Sequence, residues 1–104
     1  MSELISEKEL QRTVVELARL HGWMVFGVLE QREYSKRLSK GFPDLVLCRA
    51  NRFSSTLLPD LHFWELKSQK GVISPAQREW LDALGDWARV FRPSDLDEIE
   101  ELLK

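Results

Sequence analysis

The sequence predicts a small α/β domain, a mixed β-sheet flanked by helices, with its elements in the order α-β-β-β-α-β-α over residues 1–104. Three observations carry that prediction. Apolar residues recur at helical spacing near both ends of the chain and again after a Ser-Pro pair. Four short runs rich in β-branched and aromatic residues are separated by turn-forming residues. A length of 104 residues, 43% hydrophobic and 31% charged, suits one packed core and leaves no room for a second domain.

Each element has its own signal. Ser6 is followed three residues later by Glu9, the spacing of a capping box, and Leu10, Val14, Leu17 and His21 then mark one face. A helix is therefore expected over residues 7–21, stopped by Gly22. Residues 23–29 (Trp-Met-Val-Phe-Gly-Val-Leu) read as a strand, and the polar, basic residues 30–42 as a loop. A second strand covers 44–48, with Pro43 at its mouth, where a missing N–H does least harm. Residues 50–60 read as a long hairpin connection. The third strand, 62–68, alternates, with Phe63, Glu65 and Lys67 on one face and Trp64 and Leu66 on the other. Ser74-Pro75-Ala76-Gln77 starts a helix: Ser at the cap, Pro at the first helical position and Gln three residues after the cap. Trp80, Leu81 and Leu84 give that helix its apolar stripe, and Gly85 ends it. Residues 88–92 make a fourth strand, broken by Pro93. Ser94 or Asp95 opens a last helix with Leu96, Ile99, Leu102 and Leu103 inward.

Composition excludes several function classes. No apolar run approaches the ~18 residues of a membrane span, so no membrane partner is expected. The N-terminal residues carry acids where a secretory leader has basic residues and an apolar run. The single cysteine, Cys48, rules out an intramolecular disulfide framework and a Cys-based zinc site, and the expected compartment is the cytoplasm. The net charge of −2 conceals a polarised chain. Arg32, Lys36, Arg37, Lys40, Arg49 and Arg52 face only Glu33 and Asp44 in the middle, whereas Asp95, Asp97, Glu98, Glu100 and Glu101 face Lys104 alone at the end. The basic run is either a solvated loop or a surface for an anionic partner.

Glu65 and Lys67 lie two residues apart on a strand otherwise made for burial. Asp44 opens the preceding strand directly after Gly41-Phe42-Pro43, a turn that fixes where its carboxylate points. Antiparallel pairing of the two strands would set Asp44 beside Glu65. Two neighbouring carboxylates repel, and a divalent cation between them relieves that repulsion. Hard oxygen donors suit Mg²⁺ or Mn²⁺ better than zinc. A lysine ammonium alongside can orient water and offset charge developing on a phosphoryl group. The first helix adds a further acid. At 100° per residue, Glu7 lies about 20° from the Val14 direction, whereas Glu9 and Glu16 lie ~140° and ~160° away. Glu7 therefore faces the sheet, with Gln11 one turn on, unless it serves only the helix dipole.

Taken together, Glu7 and Gln11 on a helix, Gly41-Phe42-Pro43-Asp44, Glu65-Leu66-Lys67 and Ser74-Pro75-Ala76-Gln77 resemble the VRR-Nuc (virus-type replication-repair nuclease) family of the PD-(D/E)xK superfamily. The resemblance covers nearly the whole chain, in order. An isolated E-x-K is common; its combination with G-x-P-D and a downstream S-P-x-Q helix is far more specific. The resemblance implies a restriction-endonuclease-like core and cleavage of DNA phosphodiester bonds dependent on Mg²⁺ or Mn²⁺. It implies that Asp44, Glu65 and the Leu66 carbonyl bind the metal, that Lys67 positions or activates the attacking water, and that Glu7 completes the acidic cluster directly or through water. Gln77 reaches the site, satisfies Ser74 as a capping residue, or does both. Gly41, Pro43, Ser74 and Gln11 are supporting residues.

On the same reading, Arg32, Lys36, Arg37 and Lys40 lead into the catalytic turn and contact phosphates, with Lys70 and Gly71 on the other side and Tyr34 placed to stack on an unpaired base. No sequence-reading module fits in the remaining length, so recognition of DNA shape is expected. A two-fold pair of such domains would suit a four-way junction, and stand-alone family members resemble junction resolvases in this respect. The expected protein is thus a homodimeric endonuclease for branched DNA, of phage or mobile-element type and so acting in a bacterial host cell. The four tryptophans Trp23, Trp64, Trp80 and Trp87 are candidates for its interface or for the core. The alternatives are a nicking or flap- and end-processing nuclease, and a catalytically silent nucleic-acid-binding module.

Overall fold

A computed structural model describes residues 5–27, 40–51 and 57–104. The first helix, α1 (Glu7–Leu20), opens on the expected reciprocal cap: the Ser6 hydroxyl accepts from the Glu9 N–H, and the Glu9 carboxylate accepts from the Ser6 N–H. Its fully buried line is Leu10, Val14 and Ala18. The stripe thus continues through Ala18 and leaves Leu17 and His21 at its edge, because the helix ends at Leu20 and Gly22, at φ 85°, turns the chain into the sheet. Glu9 and Glu16 are exposed and Glu7 is half-buried, as the angular argument requires.

Four strands follow: β1 (Met24–Gly27), β2 (Leu45–Arg49), β3 (Asp60–Leu66) and β4 (Ala88–Phe91), in the spatial order β1-β2-β3-β4. The first three run antiparallel to their neighbours; β3 and β4 are parallel and are joined through α2 (Pro75–Leu84). The element order and the mixed, helix-flanked sheet are those the sequence predicts. The third strand is displaced from its predicted span at both ends. It begins at Asp60 because pairing with β2 persists to Arg49 opposite Asp60, and it ends at Leu66, after which only the Lys67 N–H still reaches the Phe91 carbonyl.

One face of the sheet carries Leu45, Leu47, Trp64, Leu66 and Phe91 under α1 and the last helix, α3 (Leu96–Leu103), and this layer is the core. Its central residue, Trp64, is wholly buried, packed edge-on against Phe91 and tilted against His62, which lies on this face and away from Glu65. Burying each such side chain contributes about 1.5–3 kcal/mol. The last helix starts only after a 3-10 turn over Pro93–Asp95, so Leu96, Ile99 and Leu103 face inward while Leu102, expected inside, rotates to the surface. Trp23 and Trp64 are core residues, Trp80 is half-buried and Trp87 stands exposed beside β4. Among the described residues no helix is long and apolar enough to cross a membrane.

Candidate active site

The site forms on the opposite face of the sheet, where α2 covers the end of β3. The alternating pattern of β3 predicts a wet face for Glu65. Instead α2 roofs it, and Trp64, Glu65 and Leu66 are all buried. Pairing of Leu45 with Trp64 puts Asp44, the residue before β2, level with Glu65. The turn that delivers Asp44 is fixed from several sides. Gly41 sits at φ 86°, and a Cβ there would meet the carbonyl carbon and oxygen of Ala76 at 2.5 Å and the Gln77 nitrogen at 2.8 Å. Only glycine allows the turn to lie this closely on the first turn of α2. Phe42 packs edge-on against both Phe63 and Trp80, the Lys40 carbonyl accepts from the Trp80 indole N–H at 3.1 Å, and Pro43 is buried. Asp44 Oδ2 then accepts from the Leu66 N–H at 2.8 Å, which locks the carboxylate against β3.

Gln77 resolves the two readings of its role by filling both. Its Oε1 accepts from the Ser74 N–H at 2.8 Å while its own N–H donates to the Ser74 hydroxyl, and its Nε2 donates to Glu65 Oε2 at 3.0 Å. Glu65, only 1% exposed, has no partner at hydrogen-bonding distance and angle for its other oxygen, Oε1, among the described residues. Ionised carboxylates are almost never left so in a protein interior. Burial first, and the Asp44 charge second, push the Glu65 carboxyl up to about 8, with Lys67 pulling it partly back. Burial also raises Asp44 above its ordinary value; the Leu66 N–H works against that rise and the Glu7 charge adds to it.

Asp44, Glu65, Lys67, Gln77 and the charge of Glu7 are therefore felt at one place. Gln11 is half-buried on α1, and Lys40 and Lys70 are exposed. Arg32, Tyr34, Lys36, Arg37 and Arg52 lie outside the described residues. Among the described residues no group of three or more His, Cys, Asp or Glu side chains could by itself hold a metal ion, so the tight acidic unit is the pair Asp44 and Glu65. That pair nonetheless fits a hard divalent cation. It offers carboxylate oxygens, one of them buried and unpartnered among the described residues.

At the site's margin Arg92 was not read from the sequence as a contributor, and Gly71, expected beside the DNA backbone, has a further contact. Arg92 donates to the carbonyls of the turn that follows Lys67, and Gly71 lies against the Lys67 stem. Neither has a periodic or motif signal, since both act through a turn folded back on itself. The model of one sequence family, described as the VRR-NUC domain, matches residues 3–90. No curated protein and no solved structure matches the chain.

Proposed function

The chain belongs to the VRR-NUC domain family, a nuclease family, and from that premise we propose that it is a metal-dependent, structure-specific DNA endonuclease. The observation that carries this reading is Glu65: a wholly buried glutamate, level with a second carboxylate, held by Gln77 through one oxygen and left unpartnered at the other. A fold that served only to bind nucleic acid would gain nothing from this repulsion, which argues against the catalytically silent alternative.

In this mechanism Asp44, Glu65 and the Leu66 carbonyl would hold Mg²⁺ or Mn²⁺, with Glu7 completing the set through water. The cation would polarise the scissile phosphate and make a bound water more acidic. The protein's own residues do the rest. The Leu66 N–H keeps Asp44 aimed at β3, and Gln77 keeps Glu65 from turning its free oxygen away. Lys67, just past the end of β3, directs its ammonium at the attacking water and at the charge that grows on the phosphoryl oxygens. Lys40, one residue before the Gly41 turn, and Lys70, on the turn after Lys67, are exposed cations next to the site in sequence and would contact phosphates, as Arg32, Lys36 and Arg37, outside the described residues, are expected to do. Recognition by phosphate contacts favours DNA shape over sequence. A two-fold homodimer would present two sites to the matched strands of a four-way junction.

The test is cleavage of a labelled four-way junction, a linear duplex and a single strand, each with Mg²⁺, Mn²⁺ or EDTA, by wild type and Lys67→Ala. The expected result is paired, metal-dependent cuts in the junction that Lys67→Ala abolishes while binding persists. Equal cleavage of all substrates would discard the junction preference, and a sedimenting mass of one chain, 12.2 kDa, would discard the dimer. No cleavage with either metal would sink the reading as a whole.

A further inference from the structure

Lys67 does its work only if its ammonium is aimed, yet among the described residues no hydrogen bond or ion pair ties that ammonium down. Its direction must come from what grips its backbone and its stem. The backbone is held by the Lys67 N–H, which donates to the Phe91 carbonyl at 3.0 Å. The stem lies against Gly71: a Cβ built on Gly71 would stand 3.3 Å from Lys67 Cδ and 2.9 Å from Ser68 Oγ. Gly71 is thus bare where the lysine stem passes. The turn 68–71, closed by the Gly71 N–H donating to the Ser68 carbonyl at 3.1 Å, therefore lies alongside the Lys67 stem.

That turn is held from outside by a single guanidinium. Arg92 Nη1 donates to the Ser68 and Gly71 carbonyls at 2.8 Å each, with the Gln69 carbonyl at 3.4 Å. Gln69 adds a two-way pair with Ser94: its Nε2 donates to Ser94 Oγ at 3.0 Å and its Oε1 accepts from the Ser94 N–H at 3.1 Å. The clamp is itself rigid. The Arg92 N–H donates to Asp95 Oδ2 at 2.7 Å, the Asp95 N–H returns to the Arg92 carbonyl at 2.8 Å, and Pro93 between them is buried. Carbonyls that converge on one cation repel each other without it, so losing the guanidinium would loosen the turn even with the Gln69–Ser94 pair in place.

We infer that Arg92 is a positioning residue for phosphodiester cleavage, which sets the aim of Lys67 through the turn 68–71. The inference rests on the reading of Lys67 as the residue that directs the attacking water. Arg92 lies beyond the residues 3–90 that match the family, so membership assigns it no role. Asp44 and Glu65 precede the turn and share no hydrogen bond with it, so the clamp acts on the lysine and not on the metal-binding pair.

The experiment compares wild type, Arg92→Ala, Arg92→Lys and Gly71→Ala on the DNA that wild type cuts. Readouts are kcat, KM for DNA, the thermal shift given by Mn²⁺, and hydrogen exchange at the Gly71 amide. Arg92→Ala is expected to lower kcat about 30-fold, the scale of a displacement of under 1 Å. Its KM for DNA and its Mn²⁺ shift should stay at wild-type values, and Gly71 exchange should rise at least tenfold. Arg92→Lys, which keeps the charge but not the fork, should recover part of kcat and part of the protection. Gly71→Ala crowds the lysine stem and leaves the clamp intact, so it should lower kcat about fivefold with Gly71 protection retained; it decides the matter if Arg92→Ala does not fold. Wild-type cutting with kcat unchanged in Arg92→Ala and Gly71→Ala overturns the inference alone. So does a loss of kcat that comes with an equal loss of the Mn²⁺ shift. A wild type that cuts nothing overturns the nuclease reading, and the inference falls with it.

Discussion

Two buried charges stand at opposite ends of the β2–β3 ladder and are treated in opposite ways. At one end is Arg49, whose side chain is 11% exposed. Its guanidinium stacks on Trp23 at 4.2 Å, donates to the carbonyls of His21, Leu103 and Lys104, and pairs with Asp60 at 3.7 Å, leaving only Nε without a partner. It ties the end of α1, the end of α3 and the start of β3 together. At the other end is Glu65, with one oxygen unpartnered and a like charge beside it. The first charge has its hydrogen bonds and an ion pair supplied, whereas the second has a like charge beside it that Lys67 only partly offsets. An interior charge with its partners supplied holds a fold together; one denied them is a candidate functional site.

The largest expected effect separates the two ends completely. Glu65→Gln keeps the shape of the side chain but removes the charge, so cleavage should fall by about 10³ or more. The metal-free protein should meanwhile melt higher than wild type at mildly alkaline pH. Comparing cleavage rates with calorimetric Tm checks this, and a variant that is both inactive and less stable would erase the contrast. Arg49→Met should do the reverse. Stranding the carbonyls of His21 and Leu103 and the Asp60 carboxylate should cost about 3 kcal/mol in urea unfolding. Cleavage per folded molecule should be unchanged, and a site-specific loss of activity would show that the two ends are not independent.

A third and smaller effect comes from pH. Glu65 binds its proton more tightly folded than unfolded, so its contribution to stability is fully present below about 4.5 and is lost as pH rises through about 8. Asp44 acts in the same direction. His62, whose pKa burial lowers, works in the opposite sense and removes stability as pH falls below its ordinary 6.5. Metal-free wild type should therefore lose Tm from near-neutral to alkaline pH, by about 5 °C or more relative to Glu65→Gln. Mn²⁺ should restore more of it at the alkaline end, where no proton need be displaced. Parallel Tm profiles of wild type and Glu65→Gln across that range would refute the assignment. The smallest effect is at the satisfied end: Trp23→Phe removes the 2.9 Å indole donation to the Leu103 carbonyl and should cost about 1 kcal/mol. Because Arg49 donates to the same carbonyl, the double variant with Arg49→Met should deviate from additivity.

The contrast also explains what could be read in advance. That Asp44, Glu65 and Gln77 would stand together, with the charges of Glu7 and Lys67 felt beside them, could be read because each sits at a fixed offset from a cap, a turn or a strand. The capping signals at Ser6 and Ser74 located two helix starts to the residue. Burial of Glu65 was not legible, since alternation along β3 says nothing about which helix will cover its polar face. The lower edge of the α1 stripe depended on the helix stopping at Leu20, and the exposure of Leu102 on the 3-10 turn at Pro93–Asp95 that sets where the last helix starts. Arg49 and Arg92 were invisible as structural cations for a common reason. Their partners are backbone carbonyls, which every residue possesses, so nothing in the identity of His21, Leu103, Ser68 or Gly71 advertises the bond.

One side chain described above makes the chemistry conditional on folding. Both ends of the Gln77 amide are committed, the oxygen to the start of its helix and the nitrogen to Glu65. Turning the amide over would break both bonds at once, and unwinding the first turn of α2 would release Glu65 as well as the Gly41 turn that rests on the same peptide. A half-made or half-unravelled chain therefore carries the acids and the lysine but not the arrangement. The proposed cleavage site is thus assembled only in the folded chain.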